Sequence, residues 1–359
     1  MDDDIARSAP FDLRYLYLAG GVFDGASPCA SCATSCTAAG ASCANSAGCG
    51  WWGCWQWDQD PPGAYVRDFV AAVAGDGQIP MITYYEELQT SGASEGRGQV
   101  DAATSAAFMG RYLADYRFVL DQLATSTALL HLEPDFWGYV EHANEDPHSV
   151  PMAVASASSE CQGFEDSAAG LARCMIAMAR RVAPGVRVGL HASAWGTKID
   201  VLANTDPSFD VAGEGRKLAR FLDALGAREG DFIAIDYSDR DAGFYEQQGR
   251  EAWWDATDAT LPSFSQALTW TRAVGEALAL PVVAWQVPVG NMSLDDTNQR
   301  YRDNRVDYFF DHMDRVAEAS IAALAYGAGE GQQTNPSTDD GNLVARTNAY
   351  GRARVAPCP

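Results

Sequence analysis

Seven short β-rich runs recur along this chain of 359 residues, at 13–19, 79–85, 128–133, 186–192, 232–237, 281–287 and 322–327. Between them lie stretches of helical periodicity at 102–123, 167–182, 216–225, 264–278 and 306–319. Strands that alternate with helices pair in parallel through right-handed crossovers, because no tight hairpin joins parallel neighbours. The dinucleotide fingerprint of a doubly wound sheet is missing, and polar residues gather where nearly every run ends. The pattern predicts an α/β fold: one TIM-like (β/α) barrel domain over residues 1–359, with seven or eight parallel strands. The Cys- and Trp-rich segment 27–60 reads as an insertion after the first strand.

Barrel sites are built from strand ends and the loops after them. Here the ends read Tyr84-Tyr85-Glu86-Glu87, Glu133-Pro134-Asp135, His191 to Trp195, Asp236-Tyr237-Ser238-Asp239, Trp285-Gln286-Val287-Pro288 and Tyr326-Gly327. The richest is LLHLEPDFWGY at 129–139. Alternate strand side chains share a face, so His131, Glu133 and Asp135 can point the same way, and Pro134 ends the ladder. Two carboxylates beside Phe136 and Trp137 are what glycosidic cleavage requires. Glu133 or Asp135 is the candidate proton donor, and Asp236, ending the apolar run FIAID, is the candidate base or nucleophile. Tyr85, Glu86, Trp137, His191, Trp195, Trp285 and Gln286 are the candidate substrate contacts. Burial against Trp137 or Trp195 would raise the acid's pKa. The competing structural roles are ion pairing for Glu133, a helix cap for Asp135, and a cap or a pair with Arg240 for Asp236. Asp239 and Asp241 read as loop or cap residues, and Glu86 and Glu87 stand one strand end earlier as alternative acids.

The formal charge of −23 argues against nucleic acid and against anionic membrane surfaces. No apolar run approaches the roughly 18 residues of a membrane span. Five histidines without a metal-binding spacing give no support for a metal or other cofactor. The expected partner is a polysaccharide or oligosaccharide, and the expected state is a monomer. Six of nine cysteines crowd into the insertion, at 29, 32, 36, 43, 49 and 54. That density predicts disulfides made in an oxidising compartment, hence a secreted protein. The acidic start MDDDIARSAP is the opposite of a secretion signal, so removal of such a signal is expected. Cys161 and Cys174 can pair with each other, and Cys358 is left over. A zinc cluster begun by Cys29 and Cys32 is the alternative.

Trp51, Trp52, Trp55 and Trp57 form either a sugar-binding patch or the seal that buries the cysteine loop, and Trp253-Trp254 is a second such pair. Residues 92–96 satisfy the G-x-S-x-G pattern of a hydrolase elbow, yet no buried strand precedes Ser94, so a loop is expected rather than an esterase nucleophile. The glycines at 327–331 are too loosely spaced for a phosphate cradle.

The Glu133-Pro134-Asp135 strand end resembles the E-P-D segment of glycoside hydrolase family 6, the inverting cellulases with a distorted seven-strand barrel. The aspartate of that triplet is the family's general acid, so the resemblance implies that role for Asp135. The H-A-S-A-W-G segment at 191–196 and the W-Q-V-P-V-G segment at 285–290 are compatible with it. Gln286 stands where that family has a Lys, and Asp239-Arg240-Asp241 lies downstream of E-P-D and lacks the family's following Cys. A distant or separate family of barrel glycosidases is therefore implied, and cellulose as the substrate is not. The expectation is a secreted glycoside hydrolase acting on a neutral or weakly charged polysaccharide. The alternative is a non-catalytic carbohydrate-binding or surface protein on the same scaffold.

Overall fold

The computed structural model describes residues 3–19, 22, 52, 63–238, 240–329 and 331–355. Seven strands hydrogen-bond in sequence order: β1 Leu13–Leu18, β2 Ile79–Tyr84, β3 Ala128–Leu132, β4 Val186–Ala192, β5 Phe232–Asp236, β6 Val282–Val287 and β7 Ile321–Tyr326. Pairing is parallel, with Met81 opposite Leu129, Ala128 opposite Val186 and Ile233 opposite Val282. Helices connect successive strands, and the fold is α/β of the TIM type. Every expected strand is present to within one residue at each end. Burial on both faces explains the plainest of them: β6 reads VVAWQV and is buried throughout, as a strand covered on both sides must be.

The chain divides into two compact units. One comprises Tyr15–His191 and Phe221–Asp231; the other comprises Met1–Arg14, Ala192–Arg220 and Phe232–Pro359. In the first unit, helix Ala106–Leu123 starts where Ser105 accepts a hydrogen bond from the Phe108 amide. The expected start at 102 is displaced because residues Arg97–Ala102 form a separate short helix. Helix Ala168–Val182 is capped by Ser167, buries Leu171, Met175 and Met178, and ends on Arg180 and Arg181, which suit the negative end of its dipole. Cys161 and Cys174 are joined in a disulfide that ties the segment before this helix to its buried face.

The second unit packs an aromatic core in which Phe264 stacks on Tyr308 at 3.6 Å and Tyr237 on Phe309 at 5.7 Å. Helix Phe264–Leu278 opens with a capping box between Ser263 and Gln266. The helix expected over 306–319 is instead two, Arg305–Asp311 and Met313–Glu318. His312 breaks it: its Nδ1 donates to the Tyr308 carbonyl at 2.8 Å and its ring stacks on Tyr308.

Of the insertion, only Trp52 lies within the described residues, so the six cysteines there, Cys358, Trp51, Trp55 and Trp57 lie outside them. Trp52 is buried, and its Nε1 donates to both oxygens of Asp115 at 2.9 and 3.1 Å. At this position the indole seals rather than binds. Residues 92–96 are a loop between helices Glu87–Ser91 and Arg97–Ala102. Among the described residues no helix is long and apolar enough to cross a membrane.

The disulfide closes a sequence separation of 13 residues. Replacing both cysteines by serine is expected to lower the unfolding free energy in urea by about 3 kcal/mol. An unchanged midpoint would show that the link contributes nothing to stability.

Candidate active site

The strand-end constellation of the first unit begins where β3 stops. Glu133 continues the ladder through its amide, which donates to the Tyr84 carbonyl at 2.8 Å, but its φ is +48°. Asp135 follows with φ +65°. Two non-glycine residues in the left-handed region within one turn are costly, and such strain collects at functional sites. The turn also ends the period-two alternation, so Glu133 and Asp135 do not share an environment.

Glu133 is fully buried. Its Oε1 accepts from the Tyr112 hydroxyl at 2.7 Å and from the amides of Glu86 and Glu87 at 3.2 and 3.3 Å. Its Oε2 also faces the Glu87 amide, at 3.4 Å. The carboxyl thus fixes the turn after β2. The residue before that turn, Tyr85, presents its hydroxyl 3.5 Å from Asp135 Oδ2. Asp135 is half-buried and occupies the N-cap position of helix Phe136–Ala143 without a side-chain capping bond. The cap role is not realised.

Burial pushes the Glu133 carboxyl up to about 8, against the pull of Tyr112 and the two amides. Glu87 also rises to about 8, through burial and then the neighbouring Glu133 charge, opposed by the Gln99 amide that donates to it at 2.9 Å. Burial raises the Tyr85 hydroxyl too, followed by the charges of Asp135 and Glu95. Two carboxyls therefore keep their protons at neutral pH in this cluster. Asp115, which receives Trp52, also accepts from the Tyr84 hydroxyl at 3.0 Å.

Trp137 is buried, with its Nε1 donating to the Leu132 carbonyl at 3.1 Å, so it locks the strand end instead of forming an open wall. His191 is likewise buried, stacked on His131 with Nδ1 and Nε2 3.1 Å apart, and Thr83 lies 3.3 Å from the other His131 nitrogen. Desolvation lowers both histidines, His191 to about 3, so the pair is neutral. The expected contact between His191 and substrate gives way to an internal one.

In the second unit Asp236 ends β5 half-buried, opposite Trp285 of β6. Gln286 has φ +52° where the β6–β7 register shifts, and both it and Trp285 are buried. Trp195 is half-buried in the loop after β4, and Trp254 is buried under Arg305, 4.3 Å from its ring. Asp239 lies outside the described residues. Asp241 is no mere loop or cap residue: it is buried and caps nothing, and its carboxylate accepts from the amides of Gly290 and Thr334 at 3.0 and 2.9 Å.

The structure thus brings Tyr85, Glu86, Glu133 and Asp135 together in one unit, and Asp236, Trp285 and Gln286 in the other. Sequence reasoning missed Tyr112 and Asp115, and it read Asp241 as a loop or cap residue. An acid in the buried stripe of helix Ala106–Leu123, three residues after a tyrosine, was the available signal for the first two. Among the described residues no group of three or more His, Cys, Asp or Glu side chains is placed to hold a metal ion.

No protein-family model matches the chain, and no curated protein matches it. Solved structures do. The GH53 catalytic domain of Ignisphaera aggregans aligns over 98% of this chain and 87% of its own, with TM-score 0.52 and 11% identity. A mutant glycoside hydrolase 5 lichenase of a Caldicellulosiruptor species, in complex with cellotetraose, aligns over 97% and 82%, with TM-score 0.51 and 11% identity. The fold is that of barrel glycoside hydrolases. The endoglucanase Cel6 of Mycobacterium tuberculosis aligns over 62% of this chain at TM-score 0.32 and 14% identity, so nothing sets family 6 above the others. The chain spans 56% of that endoglucanase and 57% of a Cellulomonas fimi mannanase that it also matches.

The buried groups predict a stability profile with two limbs. Glu133 and Glu87 hold protons to about pH 8 when folded but release them near 4.5 when unfolded, so stability falls as pH rises between those values. The histidines act oppositely: their contribution is complete above the unfolded value of 6.5 and is lost as pH falls through their lowered folded values, which for His191 is about 3. From pH 6.5 to 8 the carboxyls act without the histidines. Glu133→Gln should flatten that decline by up to about 1.4 kcal/mol per pH unit in urea titrations. An identical slope in wild type and variant would refute the buried, protonated state.

Proposed function

We propose that the protein is a glycoside hydrolase acting on a neutral polysaccharide or oligosaccharide, with Asp135 as the proton donor. The observation that carries this reading is the division of labour at the ends of β2 and β3. Glu133 is enclosed and spends its oxygens on Tyr112 and two backbone amides, so no leaving oxygen can reach it. Asp135 is half-buried and lies 3.5 Å from the Tyr85 hydroxyl, so unlike Glu133 it keeps the exposure that a general acid needs. Its place in an E-P-D strand end agrees with that role.

Asp135 would protonate the departing oxygen, while Tyr85 orients its carboxyl. The reaction needs a second carboxylate, as base on a water or as nucleophile, and Asp236 is proposed for it from its sequence position at the end of β5 alone. Glu133 acts through the turn it holds. The barrel fold of solved glycosidases supports the assignment by analogy, since fold alone does not fix function. The cellotetraose held by the lichenase makes a β-glucan the first substrate to test. The Cys161–Cys174 disulfide supports secretion, because such links persist in oxidising compartments.

Release of reducing ends from a panel of neutral β-glucans, mannans and xylans tests the proposal. Asp135→Asn, folded as judged by circular dichroism, should lower kcat by about 10²- to 10⁴-fold. Asp236→Asn should fall in the same range, and Glu133→Gln should be less severe. Wild-type rates in both aspartate variants would reject the assignment. Tight binding without turnover by the wild type would make the protein a carbohydrate-binding one.

A further inference from the structure

Asp241 has no part in the reaction proposed above, yet its carboxylate bridges two loops distant in sequence. It sits in the loop after β5, five positions beyond Asp236. One oxygen accepts from the Gly290 amide at 3.0 Å, in the loop after β6, and the other from the Thr334 amide at 2.9 Å, in the loop after β7. Its own amide donates to Gln333 Oε1 at 2.9 Å, which ties the third loop a second time.

The surroundings are built to keep this acceptor in place. Asp303 is fully buried beside it and accepts from the Ala242 amide at 2.8 Å and from Arg305 at 2.7 Å. Arg305 also donates to the Ala252 carbonyl and lies over Trp254, so the Asp303 charge is matched within the core. Gly290 admits no side chain: a Cβ there would lie 2.6 Å from the Tyr301 carbonyl oxygen and 2.7 Å from Asp241 Oδ1. Only glycine lets this amide come close enough to be held.

We infer that Asp241 is a positioning residue, whose carboxylate clamps the loops after β5, β6 and β7 and thereby fixes Asp236 and Gln286 for substrate. A single acceptor shared by two loop amides couples them, so loss of the carboxylate releases both together. Burial and then the neighbouring Asp303 charge raise the Asp241 carboxyl, while the amides of Thr334 and Gly290 favour its ionised form, so the hold on the two loops is strongest when the proton is off. Asp241 touches no substrate; it acts through the strand ends that its loops follow. The kinetic part of this inference rests on the glycosidase reading, and the clamp itself does not.

The test is hydrogen–deuterium exchange on the full chain, together with steady-state kinetics on a mixed-linkage β-glucan. Asp241→Ala should speed exchange about tenfold or more in peptides covering 288–292 and 332–335, with β5, β6 and β7 still protected. Asp241→Asn, which keeps one acceptor oxygen, should show a smaller effect. In Asp241→Ala kcat should fall about tenfold or more through the loosened Asp236, and KM should rise about tenfold through the loosened Gln286. A purely structural residue would lower the melting temperature and leave KM alone. If Asp241→Ala does not fold, Gly290→Ala pushes the loop off the carboxylate from the other side and should loosen the same two peptides. Unchanged exchange, a response in one loop only, loosening spread over the whole sheet, or an unchanged KM in an active enzyme would each overturn the inference. If the wild type cleaves no glycan, the glycosidase reading fails and the exchange pattern alone decides on the clamp.

Discussion

The Glu133 carboxyl is the group on which the candidate site depends. It lies at the end of β3 with a left-handed backbone, and it satisfies three donors at once: a phenol from helix Ala106–Leu123 and two amides from the turn after β2. Burying an ionised carboxylate costs several kcal/mol, and a protein avoids that cost by keeping the proton on. The raised affinity for a proton, the fixed turn and the placing of Tyr85 against Asp135 therefore have one cause. With that carboxyl removed, the amides of Glu86 and Glu87 would lose the acceptor they share, and the turn that carries Tyr85 would lose its support.

The architecture was legible in the sequence because a covered parallel sheet leaves a plain mark. Runs such as FIAID and VVAWQV have no solvent face to encode, and their ends were readable to within a residue. Helix boundaries were less so, since they turned on side chains that act on the backbone, such as Ser105 as a cap and His312 as a breaker. Periodicity is blind to both. At the site, the E-P-D strand end was found by its residue types, but the alternation rule misplaced its members. A left-handed φ at Glu133 turns one carboxyl inward and leaves the next half-exposed, and no residue-type rule assigns that conformation to a glutamate. Trp137 and His191 were expected at the surface of a cleft because aromatic and imidazole groups bind sugars. The hydrogen bonds that hold them inside, to Leu132 and His131, arise only from tertiary placement.

Asp241 is the sharper lesson. Its neighbours Ser238 and Arg240 are ordinary turn residues, and an aspartate opening a short helix is the commonest reading of such a pattern. What makes it different is the approach of two glycine- and threonine-bearing loops from far along the chain, at 290 and 334, and nothing local announces them. The fold likeness to barrel hydrolases is consistent with this arrangement, for in such folds the loops vary while the strands persist. Identity near 11% leaves the chemistry to be argued from the residues themselves.

Infrared spectroscopy of the carboxyl groups reaches the central claim most directly. A protonated, hydrogen-bonded Glu133 should give a carbonyl stretch that persists in the folded protein at pH 7 and disappears only as pH passes about 8. Part of that band should be missing from Glu133→Gln. A spectrum at pH 7 showing only ionised carboxylates, or a band untouched by the substitution, would contradict the account.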